Sequence, residues 1–312
     1  MELLQLGKNL LAKLRASTAE PLPTSPLQAI EPNAPASVDQ AVIAPVDQAV
    51  ISPILDHYVT TAPSVETAVN IFAGEWSSIF PAPYETLTRG TAKLFEDPRI
   101  TWFLEAVGGA KGKTVLELGP LEGGHSYMLE QAGCAQVTAI EANTRAYLKC
   151  LVTKELFNLQ RVHFLCGDFI EYLRQTDTKT DLCVASGVLY HMVNPVELLA
   201  LLAQRCQSSL MIWTHYYDPT IISNSSVHAP KFREKLESEF MGFTHTLYRR
   251  EYETALNWSG FCGGSASYSY WLRQEDILKA LQHFGFSNIR INFDTPDHPN
   301  GPAFALVADR AS

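Results

Sequence analysis

No stretch of about 18 consecutive apolar residues occurs in the chain, so no membrane-spanning helix is predicted. The first residues, MELLQLGKNLLAKLRAS, lack the basic start, long apolar run and small-residue cleavage site of a secretory signal. The six cysteines form no C-x-x-C pair and no Cys/His ligand spacing, which argues against a metal centre. They point to a reduced, cytoplasmic compartment, with Cys166 and Cys183 as small buried hydrophobes inside strands. An excess of basic residues is also missing. The net charge of −9 argues against a broad nucleic-acid footprint, although Arg249 and Arg250 sit together. What the chain does have is 46% apolar residues over 312 positions, enough for one sizeable α/β domain plus accessory pieces.

Three regions follow from composition. Residues 1–16 place Leu3, Leu6, Leu10 and Leu14 at helical spacing, with Lys8, Lys13 and Arg15 elsewhere. That pattern predicts a docking helix or a weak contact with a membrane surface. Residues 17–63 shift to Pro, Ala, Ser and Thr and contain a tandem octapeptide, VDQAVIAP (38–45) followed by VDQAVISP (46–53). A proline in every repeat prevents a long helix, and two copies are too few for a solenoid, so this region is predicted to be a disordered linker. Residues 64–312 carry the folded domain.

Within that domain strands and helices alternate, which predicts a doubly wound α/β sheet. Asp97-Pro98 reads as an N-cap and first turn opening a helix that ends at Gly108-Gly109. Strands are predicted at 113–118, 136–141, 162–166, 181–186 and 210–213, with helices at 125–132, 144–157, 169–175 and 195–205 between them. Residues 214–271 interrupt the rhythm with an aromatic, Ser- and Gly-rich insertion, in which 231–240 reads as an amphipathic helix. A helix at 274–284 and strands at 288–294 and 303–308 close the chain, with Asn300-Gly301 as a turn.

The most informative segment is TVLELGPLEGGHS (114–126). Val115, Leu116 and Leu118 form a buried strand that runs into a loop bearing Gly119, Gly123 and Gly124 and then into a helix start with unpaired N–H groups. This spacing is not the G-x-G-x-x-G of dinucleotide folds. Glu117 just before the loop suits a cationic ligand and would repel a pyrophosphate. The segment resembles motif I of the class I S-adenosylmethionine (SAM) methyltransferases. The resemblance covers roughly 115–310 and implies a seven-stranded, mostly parallel, Rossmann-like sheet whose last strand is antiparallel and inserted between the fifth and sixth. It also implies SAM as cofactor. Glu141, ending the second strand about 20 residues beyond the first glycine, falls where a ribose-binding acid belongs. Asp168 would accept from the adenine amino group, Phe169 would pack on the ring, and Ser186-Gly187 would line its other face. Each acid could equally be a helix N-cap. The chain departs from many family members at Leu121-Glu122, where a third glycine is common. Leu121 disfavours positive φ, which predicts a loop altered at that point with Glu122 facing solvent.

The resemblance implies a methyl acceptor but does not name it. Candidate bases are His191, after the fourth strand, and His215, after the fifth, with helix capping as the alternative for His191. Tyr190, Tyr216, Tyr217, Trp258, Tyr268 and Tyr270 are candidates for the acceptor wall, and 214–271 for the acceptor module. The leading expectation is methyl transfer to an O or N atom of a small molecule. Two alternatives stay open: a tRNA- or RNA-modifying methyl- or carboxymethyl-transferase, since GVLYHMVNPVELL (187–199) resembles a segment of such enzymes, and a non-catalytic SAM-binding or partner-docking module.

Overall fold

The computed structural model describes residues 58–311 except 89, 258 and 259. The expectations for residues 1–57, the amphipathic segment and most of the linker with its repeat, lie outside the described residues, as does Trp258.

Short α1 (Val65–Val69) is capped by Ser64, whose side chain accepts from Thr67 N, and α2 (Pro98–Ala106) by Asp97, which accepts from Arg99 N with proline in the first turn. The alternating part follows as β1 (Thr114–Leu118), α3 (Gly124–Gln131), β2 (Gln136–Glu141), α4 (Thr144–Leu156), β3 (Val162–Cys166), α5 (Phe169–Gln175), β4 (Thr180–Ser186), α6 (Pro195–Arg205) and β5 (Cys206–His215). Short α7 (Pro219–Ser223) leads into β6 (Phe232–Phe240), β7 (Phe243–Glu251) and β8 (Tyr268–Trp271). The chain ends with α8 (Gln274–His283), β9 (Phe286–Thr295) and β10 (Ala303–Arg310).

Seven strands form one sheet in the order β3-β2-β1-β4-β5-β10-β9, with β10 antiparallel to both neighbours. The inserted antiparallel strand expected from the sequence is therefore present. Helices cover both faces. Leu173 of α5, Leu198, Leu199 and Leu202 of α6, and Ile277 and Leu281 of α8 fill one side, and Ile100, Phe103, Leu129 and Cys150 of α2, α3 and α4 fill the other. Each such leucine, taken fully out of water, contributes about 1.5–3 kcal/mol. Val69, Phe72, Trp76, Phe80 and Phe95 form a smaller core that packs against Phe157 beyond α4. Trp76 is an anchor of this core, and its Nε1 donates to Val69 O at 2.9 Å. No helix among the described residues is long and apolar enough to cross a membrane.

Several local expectations are corrected. Cys166, expected to be a buried hydrophobe, is exposed, whereas Cys183 is buried. Residues 232–240 are a strand rather than an amphipathic helix. Phe232, Leu236 and Phe240 recur every four residues, a spacing that satisfies a period of two as well as one of 3.6. The hairpin to β7 decides between them. Met241 (φ 48°) and Gly242 (φ 79°) form a two-residue turn of the primed kind, and β6, β7 and β8 pair as a separate antiparallel sheet. Leu121 adopts φ 56° despite its side chain. Glu122 does not face solvent but is fully buried. It accepts from Ser77 N at 2.8 Å, Ser78 N at 2.9 Å and Lys149 Nζ at 3.1 Å. The loop is bent from within by a carboxylate that the N-terminal segment requires. The β9–β10 connection is longer than a tight hairpin, with Gly301 N donating to His298 O at 2.9 Å across a turn containing Asn300.

Candidate functional site

Strand order reverses between β1 and β4, and a cleft opens there beyond the carboxyl ends of the strands. Its volume is about 870 Å³, and it collects residues from β1 through β5, from α2, and from residues 261–266 of the insertion.

On one side the lining comes from loops after parallel strands. Gly119 and Leu121 follow β1; Gly123, in left-handed conformation, caps α3, and Gly124 begins that helix against Leu94, but neither of these two glycines is in the lining. Glu141 ends β2 and is buried, with Oε2 accepting from Leu121 N at 3.1 Å and Oε1 from Asn143 N at 2.8 Å. Burial raises its pKa against the pull of these backbone donors. Asp168 caps α5, its Oδ1 accepting from Ile170 N at 2.7 Å, and still borders the cleft beside the buried Phe169. Ser186 and Gly187 close this side after β4.

Glu117 lies beneath the loop and is not part of the lining. It is buried, one carboxylate oxygen takes the Ser126 hydroxyl, and Oε1 has no hydrogen-bond partner. Burial pushes its pKa up. His125 stands between two acids, with Nε2 2.9 Å from Asp97 Oδ2 and Nδ1 3.9 Å from Glu117 Oε1. Arg99 chelates the same Asp97 through Nε and Nη2, and its guanidinium covers Trp213 at 4.5 Å. Burial opposes ionisation of Asp97, yet the bonds from His125 and Arg99 hold its pKa far below the usual carboxylate range. Arg99, His125 and Trp213 all line the cleft and escaped the sequence reading. Asp97 was noticed only as a helix cap, and nothing in the spacing tied Arg99 to a histidine 26 positions on.

The other side is aromatic. Tyr190 and His191 follow β4, with ring centroids 4.1 Å apart, and both line the cleft. His191 Nδ1 shares a hydrogen bond of 2.7 Å with Tyr252 Oη. Burial, with the charges of Arg250 and His215, lowers the His191 pKa to about 3. His215 lies behind Tyr190, 4.6 Å between ring centroids, and is not in the lining. Its Nδ1–H donates to Gly301 O at 2.8 Å, its ring stacks on Trp271 at 5.3 Å, and burial lowers its pKa to about 4. Both imidazoles are neutral at pH 7.

Residues 261–266 strap this end of the cleft to the loop after β2. Asn143 Nδ2 donates to Phe261 O at 3.3 Å, and the Phe261 ring packs on Tyr252 at 4.9 Å. A Cβ on Gly263 would lie 2.6 Å from the Phe261 ring and 2.9 Å from His191 Nδ1, so the strap fits over the histidine only with glycine there.

The remaining predicted wall residues lie elsewhere. Tyr216 packs on Phe304 in the core, Tyr217 stacks on Tyr248 at 3.7 Å, and Tyr268 sits under Arg249. Tyr270 packs against the core and pairs through its backbone N with Met192 O at 2.9 Å. None of these four lines the cleft. Alternation along β8 and stacking across β7 turn them away, a register that no count of aromatics could reveal.

Residues 116–208 match a protein family described as a methyltransferase domain. Among solved structures, the chain is similar to the N-terminal domain of EvdMO1 in the presence of SAH and D-fucose, with TM-score 0.59, 20% identity, 80% of this chain and 96% of that chain covered. The same domain with SAH bound gives the same TM-score, identity and coverage. At this identity the likeness is one of fold. No curated protein sequence matches the chain.

Proposed function

We propose that this chain, whose residues 116–208 match a methyltransferase domain, is a class I S-adenosylmethionine-dependent methyltransferase that binds SAM in the cleft and transfers its methyl group to an O or N atom of a small-molecule acceptor. The observation that carries this reading is the cleft itself. Four successive strand ends deliver Gly119, Glu141, Asp168 and Gly187 to one cavity, and an aromatic end adjoins it.

The residues present fit the cofactor. Each Glu141 oxygen is bound to one backbone N–H, which leaves a lone pair on each for the two ribose hydroxyls. Asp168 and Phe169 are the proposed partners of the adenine amino group and ring, and Ser186-Gly187 of its other face. Glu117, with a buried oxygen lacking a hydrogen-bond partner, lies beneath the loop. When bound, SAM supplies an electrophilic sulfonium methyl. The chain's own part is to hold an acceptor lone pair in line with that methyl and to take up a proton where the acceptor carries one. His191, which lines the cleft and is in the neutral form that accepts, is the proposed base; His215, the other candidate, lies behind Tyr190 and outside the lining.

A cavity of about 870 Å³ falls in the size range of small-molecule sites. The strap, the aromatic wall and the net charge of −9 support a small acceptor over a nucleic acid. We assign catalysis to residues 64–312 and acceptor choice to 214–271, in a cytoplasmic protein. Calorimetric titration with SAM and SAH should give 1:1 binding, and labelled SAM should pass its methyl to a component of a small-metabolite extract. Absence of SAM and SAH binding by well-folded protein would overturn the reading. Label appearing in RNA instead would move the acceptor to another class.

A further inference from the structure

The carboxylates that line the cleft, Glu141, Asp168, Glu171 and Glu197, outnumber its basic side chains, which besides histidine are Arg99 and Arg174. Arg174 is fully used. Its Nε and Nη2 donate to Glu197 and its Nη1 to Glu171. Arg99 is not: Nε and Nη2 hold Asp97, whereas Nη1 makes no hydrogen bond or ion pair among the described residues. The pairing with Asp97 does not close the site. Asp97 is buried and its Oδ2 also meets His125 Nε2 at 2.9 Å, so one carboxylate is divided between two basic side chains. Two constraints fix the guanidinium. Asp97 holds one edge, with Nε 2.9 and 3.0 Å from its two oxygens, and the Trp213 ring backs one face at 4.5 Å. That leaves the Nη1 end for the cleft, since the Arg99 side chain is 20% exposed and belongs to the lining. Arg99 also stands where the two ends of the cleft meet. Through Asp97 it is joined to His125, just beyond the glycine loop, and through Trp213 to Tyr190, whose ring lies 6.0 Å from the indole. It precedes β1 and so lies outside the matched segment 116–208.

We propose that Arg99 is the oxyanion-binding residue of this cleft and pairs through its Nη1 end with a carboxylate of the bound ligand. An anion placed elsewhere along the lining would meet Glu141, Asp168, Glu171 or Glu197, which repel it. A guanidinium with one edge held by a carboxylate and one face on an indole loses little freedom when it binds, and its plane is set in advance. The inference rests on the methyltransferase reading for the two sources of the carboxylate, the amino-acid tail of SAM or an acid group on the acceptor. A ligand without the carboxylate forgoes a charge-assisted hydrogen bond, which is the origin of the selectivity.

Calorimetric titrations of the full-length protein separate the two sources. The first arm compares SAM with decarboxylated SAM, which keeps the sulfonium and the ammonium but lacks the carboxylate. The second compares benzoate with benzamide on protein saturated with SAH. In at least one arm the carboxylate should bind about tenfold or more tighter than its carboxylate-free counterpart, the advantage of a charge-assisted pairing. Arg99→Gln should abolish that preference, and Arg99→Lys should keep part of it. Loss in the first arm assigns Arg99 to the cofactor tail, and loss in the second assigns it to the acceptor. 5′-Methylthioadenosine, which has neither group, should bind both variants as it binds wild type, evidence of an intact fold. A preference of the same size in wild type and Arg99→Gln would overturn the proposal, as would the lack of any preference in both arms. Should neither SAM nor SAH bind well-folded wild-type protein, the methyltransferase reading falls, and benzoate against benzamide on the unliganded protein still decides the role of Arg99.

Discussion

At one end of the cleft, the residues from Gly119 to Gly187 each follow a parallel strand of a single sheet. At the other end, Tyr190, His191 and Trp213 meet residues 261–266, which belong to an antiparallel module with its own pairing. The first end holds the buried Glu141 and the exposed Asp168, each accepting from backbone N–H groups, and the second holds a neutral His191 among rings. A parallel sheet delivers its strand ends by topology, so the cofactor end needs only the right residue at each one. The aromatic end needs long-range packing of separate segments. That is the part of a scaffold able to vary while the rest stays fixed.

Four perturbations sharpen or break this contrast. The largest expected effect comes from Glu122→Ala. Removing the carboxylate strands Lys149 and two backbone donors in the interior, and breaking a buried pair typically costs about 3–5 kcal/mol, read by urea unfolding. An unchanged midpoint would show that the loop does not depend on the N-terminal segment. Next, Glu141→Ala should weaken SAM binding by about 2–4 kcal/mol, with a smaller change in melting temperature. Equal affinity for SAM in the variant would separate β2 from the cofactor site. Gly263→Ala should act on the opposite end alone. Its Cβ meets Phe261 and His191, and overpacking of about 1–3 kcal/mol should speed amide exchange in residues 261–266 while SAH affinity holds. Loss of SAH binding in this variant would mean that the two ends are not separable.

The smallest effect is one of pH. The pKa of His191 is lowered to about 3 and that of His215 to about 4, from 6.5 when exposed. The unfolded chain therefore binds more protons below pH 6.5, and stability falls as pH drops from about 6.5 toward 4. Over the single unit from pH 7 to pH 6 the loss is about 0.7 kcal/mol for each histidine. His191→Phe should reduce that slope in urea unfolding series. An unaltered slope would place the imidazole in contact with water.

The strands and helices of the sheet were legible in the sequence because their periods are local. Val115, Leu116 and Leu118 mark a buried strand wherever they occur, and a helix follows a capping Asn143 or Asp168 for reasons contained within four residues. The same local logic failed at Phe232, Leu236 and Phe240, whose spacing suits two periods at once. It failed again at Leu121 and Glu122, where a rule about φ and a rule about charge were both overridden by Ser77, Ser78 and Lys149, distant in the chain. Tyr216, Tyr217, Tyr268 and Tyr270 were read by composition, and composition carries no facing direction.

By itself, then, the sequence determined the alternating strands and helices of a doubly wound sheet and the strand ends that carry Gly119, Glu141, Asp168 and Gly187, because each depends on hydrophobic period, capping or turn chemistry within a short window. The place of the inserted antiparallel strand came from the family resemblance and not from any local pattern. Tertiary structure alone decided which aromatics meet the cleft, that His125 stands between Asp97 and Glu117, and that Glu122 is buried against Ser77, Ser78 and Lys149. These are meetings between segments tens to more than a hundred residues apart, fixed by packing and desolvation rather than by any local preference.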